Sequence, residues 1–124
     1  MSEKKKVYIA GPLNGVTADY IRNMHDMCAT AERIRKLGFS VYVPCLDFLM
    51  GLLDGGYTYE DYFENSQPWL LSSDAVYFCE RWESSTGCIK ERLTAERHDI
   101  PRFADIDSLV AHFEIGGVNT CERK

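Results

Sequence analysis

Residues 74–91 read DAVYFCERWESSTGCIKE, and their interpretation decides the fold. The first six, 74–79, are almost continuously apolar and rich in β-branched and aromatic side chains, as in a strand buried on both faces. Three hydroxyls (Ser84, Ser85, Thr86) and Gly87 follow, and a helical pattern runs from about Gly87 to Arg97. "IPRF" (100–103) then offers a short strand. Strand, hydroxyl-rich turn, helix and strand in that order describe one βαβ unit.

The same alternation extends towards the N-terminus. "VYIAGP" (7–12) is a short apolar run closed by Gly-Pro, the pattern of a buried strand with a tight exit. From Thr17, an N-cap residue type with Asp19 in the first turn, apolar residues recur at Ile21, Met24, Met27/Cys28, Ala31, Ile34 and Leu37. Gly38 stands at the C-cap position of this amphipathic helix. "FSVYVP" (39–44) is the second strand. Residues 45–66 read as a long connection with partial helix; Thr58 and Asp61 suggest a cap, and Pro68 fits the first turn of a short helix through Leu71. "IDSLVAHF" (106–113) forms the last helix, and the termini, 1–5 and 116–124, are expected to be loose. The expectation is a single α/β domain over 1–124, with a parallel sheet of four to five strands covered by helices on both faces. Ligands of such sheets bind where the strands exit, here at Gly11–Thr17, Pro44–Asp47 and Glu80–Glu91.

Composition narrows the function. At 124 residues, 45% hydrophobic and 27% charged, the chain suits one folded domain. A net charge of −5, with Lys4–Lys6 as the one basic run, argues against binding a nucleic acid polymer. Five cysteines without a CxxC pair, and three histidines scattered over helices, argue against a disulfide framework and against a metal site. No apolar stretch approaches the roughly 18 residues of a membrane span or forms a signal peptide, so the expected location is cytoplasmic.

The strand exits supply the site residues. In "GPLNG" (11–15), Gly11 allows close backbone approach and Asn14 offers a donor and an acceptor, although a plain turn accounts for both. At the third exit Ser84, Ser85 and Thr86 can cap the helix, and free N–H groups at its start suit an anionic or hydroxyl-rich ligand. Glu91 lies about one turn inside, on the flank of a Cys88/Ile89/Leu93 face, where the helix dipole favours the ionised form. Such a carboxylate beside a sugar-sized pocket can act as a nucleophile. Taken alone, these residues fit a solvated glutamate under an ordinary cap better. Cys79 and Cys88 read as small buried hydrophobes, since no local histidine activates them. Tyr57, Tyr59, Tyr62, Phe63 and Trp69 suit a nucleobase pocket, core packing or a subunit interface.

"VYIAGPLNG", "YVP", "SDAVYFCERWESSTGCIKERLTAE" and "IPRF", in this order and spacing, resemble nucleoside 2-deoxyribosyltransferase-like proteins over most of residues 6–104. The likeness is to a small subgroup of unknown function with a GWxxSxGAxxE-type signature, matched by Trp82 to Glu91. The resemblance implies a flavodoxin-like or Rossmann-like three-layer domain. It implies cleavage or transfer of the base of a 2'-deoxynucleoside or its 5'-monophosphate, without a cofactor and in a homo-oligomer. Glu91 would be the nucleophile, oriented by Tyr8; Gly11, Asn14, Asp47, Ser84, Ser85 and Gly87 would serve binding. The serine at Ser85 inclines the expectation towards a phosphorylated ligand. One departure stands out: catalytic members carry an aspartate, held to protonate the departing base, where this chain has Ser66. Glu64, Asp61 or Asp47 would have to replace it; otherwise the fold persists as a nucleotide-binding or sensing module.

Overall fold

Strand β1 (Lys6–Ala10) occupies the inside of a four-stranded, fully parallel sheet of order β2-β1-β3-β4, with β2 at Ser40–Tyr42, β3 at Ala75–Phe78 and β4 at Arg102–Phe103. The computed structural model describes residues 4–12 and 17–115. Alternation along β1 separates two cores. Val7 and Ile9 pack with Met27, Ala31 and Ile34 of helix α1 (Thr17–Lys36) and with Leu109 of α5 (Ile106–Ile115). Tyr8 and Ala10 face the other way, towards Leu70 of α3 (Tyr59–Leu71) and Cys88 and Ala95 of α4 (Thr86–Arg97). Helices therefore cover both faces, giving the three-layer α/β architecture of flavodoxin-like and Rossmann-like folds, with four strands.

The strand order fixes where a ligand can enter. From β1 the chain crosses through α1 to β2 on one side, then passes back over β1 to β3 and on to β4. Because parallel crossovers are right-handed, reversing direction places α1 and α3/α4 on opposite faces. They diverge at the exits of β1 and β3, and a crevice opens at that switch point. Tyr8 is paired in register with Tyr42 on one side and Val76 on the other, so it stands in the middle of this junction.

Helix α1 matches its sequence pattern: Asp19 lies in its first turn, and Gly38, at φ 108, turns the chain out of it. Residues 45–66, read as a long connection with partial helix, are mostly helical. A 3-10 turn (Pro44–Asp47) leads into α2 (Phe48–Asp54), which Gly55 closes at φ 82 by donating its N–H to the Gly51 carbonyl at 2.8 Å. Position 51 is a glycine inside this helix because a Cβ there would collide with the Tyr62 hydroxyl. The Thr58–Asp61 capping box forms as read and starts α3. Pro68, however, lies near the end of α3 and not in its first turn. It has no N–H for the carbonyl one turn back, a loss borne on the exposed side of a helix whose buried residues are Ser66 and Leu70. In α2 and the turn before it, Leu46, Leu49, Leu52 and Leu53 remain exposed, Leu53 at 89%.

Candidate functional site

The site grows from the end of β3. Arg81 takes φ 67, a left-handed conformation that glycine adopts more freely than arginine. Ser84 closes the turn by donating its hydroxyl to the Arg81 carbonyl at 2.8 Å. Ser85 is the N-cap of α4, its Oγ accepting from the Cys88 N–H at 3.2 Å. Of the three hydroxyls read as possible caps, Ser85 takes the role, its backbone extended immediately before the first helical residue. Thr86 is the first residue of the helix itself.

The buried face of α4 carries Cys88 and Ala95, while Ile89 and Leu93 are each 41% exposed. Glu91, three residues after Cys88 and four before Ala95, consequently points at the sheet and not at the flank of an apolar Cys88/Ile89/Leu93 face. There the Tyr8 hydroxyl donates to Glu91 Oε2 at 2.5 Å. Burial pushes the Glu91 carboxyl up to about 7, and the hydrogen bond from Tyr8 opposes that rise. The expected ionising influence of the helix start is thus overridden by desolvation. Tyr8 is raised well above its ordinary value, first by burial and then by the adjacent carboxylate, so it remains a donor.

Glu91 opens into a cavity of about 300 Å³ at the switch point, the lower end of the range for small-ligand pockets. Gly11, Asp47, Ser85 and Gly87 line it, as does Ser66; α3 contributes Tyr59, Tyr62 and Phe63. Of the proposed binding residues, Ser84 lies elsewhere, beside Arg22, Asn23 and Arg81 in a separate depression. Asn14 lies outside the described residues. The cavity walls are aromatic and acidic, and among the described residues no Lys or Arg lines them. A larger, more open hollow of about 650 Å³ lies against Asp26, Arg33, Glu80 and Asp105; it lacks Glu91, and its charged groups are surface residues.

Three carboxyls could have replaced the acid missing at Ser66, and their positions differ. Asp61 is occupied in the cap of α3, and Glu64 is exposed and does not line the cavity. Asp47 is buried in the wall. It occupies the N-cap position of α2 without a side-chain bond to that helix. Its oxygens instead accept from the Tyr42 hydroxyl at 3.2 and 3.3 Å and from Asn65 Nδ2 at 3.1 Å. Tyr42, packed between Tyr8 and Trp69, is pushed up to about 12 by burial and by Asp47. Ser66 is buried and lines the same cavity. The thiols Cys79 and Cys88, raised by burial to about 11 and about 12, stay protonated and serve as packing groups.

Tyr42, Asn65 and Tyr20 belong to or buttress the site without having been singled out from the sequence. The Tyr8–Tyr42 register is a long-range fact with no local mark, whereas Asn65 could have been found by its place one residue before Ser66.

Fold and paired side chains define an α/β domain with a partly buried acid–phenol pair at a strand-exit cavity. The chain belongs to the family described as Domain of unknown function (DUF4406), whose model matches residues 5–101. It has no match among curated proteins or among solved structures.

Proposed function

We propose that the protein is a nucleoside 2-deoxyribosyltransferase-like N-glycosidase acting on a 2'-deoxynucleoside or its 5'-monophosphate. The observation that carries this reading is Glu91, held by the Tyr8 hydroxyl behind it, in the wall of a nucleoside-scale cavity with aromatic walls. The ionised Glu91 attacks C1', the C1'–N bond breaks with its electron pair leaving on the base, and a glycosyl-enzyme ester forms. Water or a second base then displaces Glu91 from C1', as in retaining glycosidases. Tyr8 orients the carboxylate, and the aromatic side chains of α3 receive the base. With Ser66 in the acid's place, the departing base draws its proton from solvent, so turnover is slow.

Ser66 also supports a second reading, a nucleotide-binding module that keeps the pocket without the chemistry. The two separate in a chromatographic screen for free base across deoxynucleosides and their monophosphates, with wild type and Glu91→Ala in parallel. The enzyme reading expects release by wild type alone, with binding retained in the variant. Binding without release by either protein favours the module. The proposal includes self-association, supported by the exposed leucines of α2 and by Ile89 and Leu93 on α4.

A further inference from the structure

Asp47 is a buried carboxylate lining the cavity, and among the described residues no Lys or Arg forms an ion pair with it. Burying an anion without a cation is costly unless hydrogen bonds replace water. Two donors do so here, Tyr42 and Asn65, and both belong to the protein's own scaffold. The Asp47 backbone is helical, continuing the 3-10 turn into α2, so its side chain makes no cap bond to that helix and lines the cavity. A carboxylate has about four acceptor positions. The Tyr42 hydroxyl is shared almost evenly, 3.2 Å from Oδ1 and 3.3 Å from Oδ2, while Asn65 adds a second donor to Oδ2 alone, so Oδ1 keeps the greater acceptor capacity. The side chain is therefore fixed in place, directed at the ligand space and able to accept more.

We propose that Asp47 selects the base: its carboxylate, held by Tyr42 and Asn65, accepts a hydrogen bond from an exocyclic amine of the nucleobase. Amine-bearing bases, such as cytosine and adenine, are then taken in preference to their oxo counterparts, uracil and hypoxanthine, whose carbonyl oxygen at that position meets a carboxylate oxygen. This rests on the nucleoside reading above and adds its base selectivity. It also gives the acidic lining a purpose that Glu91 alone does not.

The test compares matched pairs, 2'-deoxycytidine with 2'-deoxyuridine and 2'-deoxyadenosine with 2'-deoxyinosine, by calorimetry and by base release. Wild type is expected to favour the amine member of each pair by about 10- to 100-fold, the worth of one hydrogen bond to a charged group. In Asp47→Asn, whose amide can present either a donor or an acceptor, that ratio falls towards unity, with a thermal melt checking the fold. The wild-type ratios need no variant, so the inference stays testable if Asp47→Asn does not fold. Equal affinity within both pairs overturns it, as does an unchanged ratio in a folded Asp47→Asn. Amine preference without any base release leaves it standing while removing the enzymatic reading. Release without preference does the reverse, and absence of all binding removes both.

Discussion

The Tyr8 hydroxyl donates to the Glu91 carboxylate at 2.5 Å across a separation of 83 residues in the chain. One group belongs to a central strand and the other to the sheet-facing side of α4, so the pair exists only once β1 and β3 have paired and α4 has docked over them. A short charge-assisted bond of this kind fixes the direction of the carboxylate and favours its ionised form.

Removing the donor tests both effects. Tyr8→Phe keeps the ring in its core and deletes the hydroxyl, so base release should fall about 10- to 100-fold, the worth of a hydrogen bond to a charged group. Because the bond from Tyr8 holds the Glu91 carboxyl down, its loss should also move the ascending limb of the pH–rate profile, centred near 7 in wild type, to higher pH. A rate loss with an unmoved limb would show that Tyr8 acts by packing alone.

Stability should carry the opposite signature. The Glu91 carboxyl lies near 4.5 when unfolded and is raised to about 7 in the fold, so between those values the native protein binds more protons than the unfolded chain. Stability therefore declines as pH rises through that window, since the ionised form must be kept in a desolvated place. Glu91→Gln does not ionise and escapes the decline. Denaturant titrations should show the variant gaining on wild type by on the order of 2 kcal/mol between pH 4.5 and pH 8. Parallel pH dependences in the two proteins would place the titration elsewhere.

Self-association is expected to depend on α2. Leu49 and Leu53, 60% and 89% exposed, lie one turn apart on that helix. Sedimentation should give a mass above the 14.2 kDa of one chain, and Leu49→Glu with Leu53→Glu should return it to that value. A wild-type monomer at assay concentration removes the expectation. Of the aromatic residues in 57–69, read from the sequence as pocket, core or interface material, Tyr62 fills the space at Gly51 and Tyr59 and Phe63 line the cavity, while Tyr59 and Trp69 remain 46% and 54% exposed.

Local pattern made much of this protein legible. The apolar runs at 7–12 and 74–79, the ends of α1 and the Thr58–Asp61 box are each written within a few residues, because strand burial, capping and helix termination are short-range physics. Residues 45–66 were less legible because Gly51 and the Gly55–Gly56 pair disrupt the helical pattern, and only the packing of Tyr62 explains a glycine inside α2.

An alternating α/β chain follows from the order of residues alone, and the family resemblance marked Glu91, Tyr8 and the strand exits as the place to look. Tertiary structure decided which face of α4 is buried, and with it that Glu91 points at Tyr8 and titrates near 7 instead of remaining a solvated carboxylate. It also decided among the three spare acids, committing Asp61 to a cap, leaving Glu64 exposed and turning Asp47 into the cavity. The reason is physical: a residue's chemistry depends on its desolvation and its partners, and both are set by elements that meet far apart along the chain.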